Sequence, residues 1–190
     1  MRETVTDIEK LREIAIDQHG YVTTSQAEQV GVSRPSLSYL AKNGRIDRPI
    51  RGVYRVPQVP VTQYDAIHLA LLWADAENAV LSHDTALHAW GVSDINPTKI
   101  HLTVPPGHRI SRGGGDNVVI HKQAVTKKQM GWWEQMPIVK LPIAIDQCVD
   151  RGVSSHIITQ AIMNGRARGM LSDVEARCLY SRLESRNENR

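Results

Sequence analysis

The N-terminal part of this chain is constrained most by three short helices whose starts and ends can both be read from the sequence. The starts are two capping boxes and a serine followed by proline in the first helical turn: Thr6-x-x-Glu9, Thr23-x-x-Gln26 and Ser33-Arg34-Pro35. A glycine follows each apolar stretch and predicts where the helix ends: Gly20, Gly31 and Gly44. Helices so short and so closely spaced predict a helix-turn-helix.

The third helix has two faces of different character. At about 100° per residue, its apolar side chains share one face: Leu37, Leu40 and Ala41. The opposite face is polar and carries Pro35, Ser38, Tyr39 and Lys42, with Ser36 and Asn43 beside them. Residues 45–56 then predict a hairpin with Pro49 and Gly52 in its turn and Val53-Tyr54 in one arm. Three helices followed by such a hairpin predict a winged helix-turn-helix.

This arrangement is typical of proteins that read double-stranded DNA. The major groove of B-form DNA admits one α-helix, which needs a polar outer face and a packed inner face. The expected DNA-binding residues lie on the third helix and in the wing: Ser33, Arg34, Ser36, Ser38, Tyr39, Lys42, Arg45, Arg48, Arg51 and Tyr54. The alternative is a three-helix protein-interaction module with a solvated basic face. The coincidence of caps, turn glycine and wing arginines favours DNA.

The formal net charge of +3 is unevenly distributed along the 190 residues. Residues 33–56 hold six basic side chains and one acidic, residues 57–98 hold five acidic and no basic, and residues 99–140 hold seven basic and two acidic. Such blocks suggest a polyanionic partner, although a solvated surface of mixed charge would have the same composition. A second group of possible DNA contacts lies in the last block: His108, Arg109, Arg112, Lys127 and Lys128.

Two prolines within residues 57–62 predict a short stiff linker, because proline cannot donate a ladder hydrogen bond. We therefore expect a winged helix-turn-helix domain in residues 1–56 and a second domain in residues 63–190. The second domain combines apolar helices with the alternating strand 100–104, a strand at 118–121 and a closing helical bundle. We interpret the two strands as a hairpin with a long loop, and the fold class as α+β.

Several side chains could suggest enzymatic chemistry, but their spacing argues against it. Ser82, His83 and Asp84 are neighbours in sequence and diverge around a helix, so we interpret Ser82 as a helix cap rather than a nucleophile. His83 and His88 do not share a helical face as metal ligands would. The C-terminal half lacks the clustered carboxylates and ExK motif of a magnesium-dependent nuclease. We expect no enzyme activity, no metal and no cofactor.

Other features are interpreted in structural terms. Residues 112–116 are glycine-rich but lack the GK[ST] of a phosphate loop, which favours a flexible connection. Trp132 and Trp133 are interpreted as one packed and one exposed ring, and His101 and His121 as neighbours on a sheet surface. The two cysteines form no disulfide framework, and no apolar stretch approaches the roughly 20 residues of a membrane span. With its acidic N-terminus the chain is expected to be cytoplasmic.

In the order of its motifs the chain resembles the AbiEi family, the antitoxins of type IV toxin–antitoxin systems. The resemblance is carried by six segments: Gly20–Ala27, Gly31–Arg34 with Leu37 and Leu40, Gly52–Tyr54, Leu81–Leu87 with Trp90-Gly91, Ile100–Pro105, and Leu141–Asp146.

This resemblance implies a repressor that binds repeats in its own operator through the winged helix. It also implies that the second, antitoxin-type domain counteracts a nucleotidyltransferase-like toxin, in some members without a stable complex. The alternative is a stand-alone winged-helix regulator whose C-terminal domain senses a ligand or a protein.

Overall fold

Three short helices open the first of two structural units. The computed structural model describes residues 6–74, 78–110 and 115–188. The helices are α1 Asp7–Ile16, α2 Thr24–Gln29 and α3 Arg34–Lys42. Both capping boxes form as predicted, and Ser33 caps α3 by accepting a hydrogen bond from the backbone N–H of Ser36. The predicted helix starts are therefore confirmed.

A three-stranded antiparallel sheet completes this arrangement. Its strands are β1 Tyr21–Thr23, β2 Asp47–Ile50 and β3 Val53–Arg55, in the order β1-β3-β2. The predicted wing hairpin is confirmed, but Pro49 lies within β2 rather than in the turn. This is possible because β2 is an edge strand, where a residue without N–H breaks no ladder bond. Gly52, with a φ of +79°, supplies the turn.

The core of the first unit lies between the helices and the sheet. Leu37 of α3 is 0% exposed and packs with Leu11, Val22 and Ile46. Leu40 and Ala41 are only partly buried. The predicted inner face of α3 is thus confirmed, with Leu37 as its most buried residue.

A fourth helix, α4 Asp65–Ala74, also belongs to this unit. The chain divides into Met1–Asp75 with Ile110–Gly114, and Ala76–Arg109 with Gly115–Arg190. This division lies beyond the linker predicted at 57–62. The physical reason is that Arg55 of β3 pairs with Asp65, with 3.5 Å between Nε and Oδ2, and both side chains are largely buried. The ion pair holds the helix that follows the prolines against the wing sheet.

The second unit is a mixed five-stranded sheet with helices, as the α+β prediction requires. Its elements are β4 Val80–Leu81, α5 His83–Ala89, β5 Ile100–Val104, β6 Val118–Lys122, a 3-10 turn Lys127–Gln129, β7 Met130–Trp133, β8 Met136–Val139, α6 Leu141–Arg151, α7 Ser155–Ala167 and α8 Asp173–Glu188. The strand order is β6-β5-β4-β8-β7. Its helical core includes Leu87, Ile145, Ile158, Ile162 and Leu179. None of the helices in the described parts of the chain is long and apolar enough to cross a membrane.

The hairpin predicted from β5 and β6 is wrong, because these strands are parallel. Ile100 pairs with Val118 and Val104 with Lys122. Parallel pairing requires the connection to return to the start of the first strand, which takes about a dozen residues or more, and residues 105–117 are long enough. Side-chain alternation predicts a strand but not its direction.

The hairpin of β7 and β8 was not predicted. Its turn consists of Glu134 and Gln135, with φ values of 45° and 62°. Asparagine or glycine usually occupies such positions, so the turn carried no signal in the sequence. Trp132 is 73% exposed and Trp133 is partly buried, which confirms the interpretation of one exposed and one packed ring.

Candidate nucleic-acid interface

The outer face of α3 consists of Pro35, Ser38, Tyr39 and Lys42, all of which are exposed. Tyr39 is 69% exposed, although it is a large aromatic residue. Leu37, on the opposite face, anchors the helix in the core. The helix therefore presents a hydroxyl, a phenol and an ammonium group to solvent on a buried support, as a helix that reads a DNA groove requires.

The start of α3 is fixed by the side chains of two serines. The Ser33 hydroxyl accepts from the backbone N–H of Ser36 at 3.2 Å and donates to the Ser36 hydroxyl at 3.1 Å. Both serines are among the expected DNA contacts, and their hydroxyls are already engaged in the cap. The backbone N–H groups at this helix start add positive potential.

Arg34 lies at the same helix start and is paired within the unit. Its Nε donates to Oε1 of Glu28 at 2.7 Å, and both side chains are well exposed to solvent. An exposed pair of this kind contributes little stability. A phosphate could therefore replace Glu28 as the partner of Arg34 at small cost.

Four further cations surround the outer face of α3. They are exposed and form no ion pair within the described residues: Lys42, Arg45, Arg48 and Arg51. Asp47 is the one acidic side chain in this stretch of sequence. The helix and the wing thus form a continuous basic segment of the chain, which favours a phosphate backbone as partner.

Tyr54 requires a correction, because we expected it on the DNA-facing surface. It is 5% exposed and belongs to the core of the first unit, since β3 is the central strand of the wing sheet. The guanidinium carbon of Arg48 lies 5.7 Å from the centre of its ring. The tyrosine therefore supports a wing arginine through a cation–π contact instead of touching DNA itself.

The second group of basic residues is divided by the fold. His108, partly buried, and exposed Arg109 follow the end of β5, whereas exposed Lys127 and Lys128 precede the start of β7. The pairing directions make β7 run parallel to β5, which places these two sets toward opposite ends of the sheet. Arg112 lies outside the described residues. The sequence block 99–140 is therefore not one compact basic surface.

A cluster of polar side chains in the second unit, most of them buried, was missed. We call it the histidine cluster: Ser82, His83, Asp84, His101, His121 and Arg151. His83 stacks on His121 with 3.5 Å between ring centres, and Nδ1 of His101 lies 3.1 Å from Nε2 of His121. The two histidines were predicted to be neighbours, which is confirmed, but His101 is buried instead of lying on a surface. The polar residues within buried strand β5 were the available signal.

Burial decides the charge state of these histidines. Burial and the neighbouring imidazoles lower the pKa of His83 to about 3 and that of His121 to about 4. The pKa of His101 is lowered too, chiefly by burial. His83 also has a φ of +50°, a strained backbone for a non-glycine residue. At neutral pH the cluster therefore consists of neutral rings in fixed positions.

The contacts of this cluster differ from those of a hydrolytic triad. Asp84 is bound by Arg151 through two hydrogen bonds of 3.1 and 2.7 Å, so its carboxylate does not orient His83. Ser82 occupies the cap position of α5, but its hydroxyl lies 3.0 Å from Nδ1 of His83 and caps no helix N–H. The prediction that Ser82 caps this helix is therefore right about its position and wrong about its hydrogen bond. Within the described residues, no three metal-ligating side chains are placed to hold an ion.

The architecture of the first unit defines a class of protein. A helix-turn-helix whose last helix presents a polar face, followed by a basic β-hairpin, is a winged helix-turn-helix, a DNA-binding domain. Residues 9–57 match the family described as "Transcriptional regulator, AbiEi antitoxin". The resemblance seen in the sequence is therefore confirmed over these residues.

Other comparisons concern the whole chain. The crystal structure of the RV2827C protein from Mycobacterium tuberculosis is similar with a TM-score of 0.47 and 14% sequence identity, covering 96% of this chain and 83% of that chain. No curated protein is significantly similar in sequence.

Proposed function

We propose that this chain is an antitoxin that represses its own operon by binding repeats in its operator DNA. The observation that supports DNA binding is the outer face of α3 with Lys42, Arg45, Arg48 and Arg51 around it, exposed and without an ion pair in the described parts of the chain. The match of residues 9–57 to AbiEi antitoxin regulators supports the regulatory role.

The proposal is tested by measuring the affinity of the protein for the DNA upstream of its gene. Lys42→Ala is expected to remove one phosphate contact. Operator binding should therefore weaken several-fold, and the logarithmic salt slope should become less steep by about 0.9. Arg12→Ala, an equal charge change at an exposed position of α1, is the matched control and should leave affinity unchanged. If both variants lose affinity for the operator equally, the protein binds DNA by nonspecific charge attraction, which would contradict the proposal.

The second group of basic residues is proposed as a supplementary set of phosphate contacts. Because the fold separates His108 and Arg109 from Lys127 and Lys128, one duplex contacts one of these pairs more readily than both. The salt dependence of binding is measured for Arg109→Ala and for the double variant Lys127→Ala, Lys128→Ala. The variant whose salt slope becomes less steep identifies the pair that contacts the duplex. If neither variant changes the slope, these four residues form a solvated surface.

The antitoxin part of the proposal is that this chain counteracts a nucleotidyltransferase-type toxin encoded beside it. It is supported by the family of residues 9–57. Co-expression with the product of the neighbouring gene should restore the growth of cells that this product alone arrests. If the neighbouring product is harmless, or if growth stays arrested, a stand-alone winged-helix regulator is the better assignment.

A further inference from the structure

Strand β7 forms one edge of the five-stranded sheet, and its outward side is defined by its pairing with β8. The backbone N–H of Lys140 donates to the carbonyl of Gln129 at 2.8 Å, so Gln129 bonds toward β8. Trp132 lies opposite Pro137, which has no N–H to give. Because bonding alternates along an antiparallel ladder, the backbone groups of Met130 and Trp132 point away from β8.

Apart from its length of four residues, this edge lacks the features that keep sheet edges from pairing. Protected edges are usually very short or carry charged side chains, proline or a bulge. The strand Met130–Trp133 has neither a charge nor a proline, and its Trp132 is 73% exposed. Within the described residues, β7 has no partner strand other than β8. An edge of this kind is a template on which another strand can pair.

We propose that a second copy of this chain occupies the edge, with the two β7 strands antiparallel around a two-fold axis at Gly131. Each Met130 then lies opposite Trp132 of the second copy, so that residues with outward backbone groups bond to each other. The thioether of methionine contacts aromatic rings favourably. Gly131 lies opposite its own counterpart in a position without backbone hydrogen bonds between the two residues.

Charge complementarity selects a second copy as the occupant. Lys127 and Lys128 precede β7, and Glu134 follows it. Antiparallel pairing of two identical strands places the start of one beside the end of the other. The lysines of each copy therefore approach Glu134 of the other copy, twice in the dimer because the interface is isologous. A parallel arrangement would bring like charges together.

Disulfide formation tests both the dimer and its register. Gly131→Cys in a Cys178→Ser background should give a covalent dimer under mild oxidation. Cα atoms of such opposed residues are about 4.5 Å apart, within the range that a disulfide spans. The site can hold the side chain, since a Cβ at Gly131 would lie 4.0 Å from Cγ of Lys140, the nearest contact. Removing Cys178 is necessary because it is exposed.

Lys128→Cys in the same background is the matched control. Lys128 lies in the 3-10 turn before β7, so in the proposed register the two cysteines stand at opposite ends of the paired strands and should stay reduced. Equal cross-linking of both variants would indicate random collision. Absence of cross-linking in Gly131→Cys, with unchanged circular dichroism, would overturn the register.

Sedimentation of the intact chain tests the association itself. The unmodified protein should form a concentration-dependent dimer, and Lys128→Glu or Glu134→Lys should each weaken it about tenfold by replacing attraction with repulsion at two symmetric positions. The double variant should recover most of the affinity. A protein that stays monomeric at every attainable concentration, or a double variant weaker than either single one, would refute the dimer.

Discussion

Tyr39 combines the properties expected of a residue that distinguishes one operator sequence from another. It lies on the outer face of α3 between Ser38 and the end of the helix, and 69% of its surface is open. Its ring can contact a thymine methyl group and its hydroxyl a base edge. The side chain is not required by the core, which is anchored by Leu37 on the opposite face. Its replacement should therefore affect recognition and leave folding intact.

We predict that Tyr39→Ala relaxes sequence preference more than it weakens binding. A contact with a base edge contributes roughly 1–3 kcal/mol of discrimination, about 5- to 150-fold. The measurement is the ratio of affinities for the operator and for a scrambled duplex of equal length. Lys42→Ala serves as comparison, since loss of a phosphate contact lowers both affinities alike. An unchanged ratio in Tyr39→Ala would remove this residue from recognition.

The buried histidines predict how stability depends on pH. The pKa values of His83, His121 and His68 are lowered to about 3, about 4 and about 4, in each case mainly by burial. In the unfolded chain each returns to the ordinary 6.5, so below about pH 6.5 the unfolded state binds protons that the folded state does not. The free energy of unfolding should therefore fall between about pH 6.5 and pH 4.

Urea denaturation at a series of pH values measures this dependence. His121→Gln should flatten the slope, because one fewer proton is taken up on unfolding. His156→Gln, at an exposed position of α7, is the control and should leave the slope as it is. A stability that stays constant down to about pH 4 would mean that the imidazoles are protonated within the fold.

At the scale of elements, the caps of the first unit were predictable from the sequence and strand partners were not. The starts of α1, α2 and α3 depend on residues three positions apart, such as Thr6 and Glu9, so local sequence contains the whole signal. Strands β1 and β4 are three and two residues long, too short for alternation to identify. The histidine cluster joins residues from distant parts of the chain, such as Asp84 and Arg151, which no local pattern records.

One side chain, Asp65, controls the attachment of helix α4. Asp65 accepts from the backbone N–H of Thr62 at 2.7 Å and from its hydroxyl at 2.8 Å, and it also pairs with Arg55. Asp65→Ala removes all three contacts and leaves the largely buried guanidinium of Arg55 without its carboxylate partner. The variant should lose about 2 kcal/mol, seen as faster amide hydrogen exchange in α4.

Asp7→Ala is the matched control for this effect, because Asp7 also opens a helix but is solvent-accessible and lies 4.0 Å from Lys10. Its replacement should cost well under about 1 kcal/mol. If Asp65→Ala leaves the exchange of α4 unchanged, the helix is held by its apolar contacts alone and the ion pair is incidental.

At the scale of the whole molecule, the two compact units suggest that the proposed repression and the proposed protection are separable. The outer face of α3 and the wing cations all lie in the first unit. If the proposed antitoxin activity resides in the second unit, substitutions in α3 should leave it untouched. The intact chain can test this, so that neither unit has to fold alone.

We therefore predict that a full-length variant with Ser38→Ala, Tyr39→Ala and Lys42→Ala loses repression of an operator-driven reporter yet still protects cells from the cognate toxin. These three side chains are exposed, so the fold should survive their truncation. Protein levels must be equalised with an independent promoter, because loss of autorepression raises expression and would mimic better protection. Loss of protection at equal levels, with native circular dichroism, would show that neutralisation acts through DNA binding and that the two units share one function.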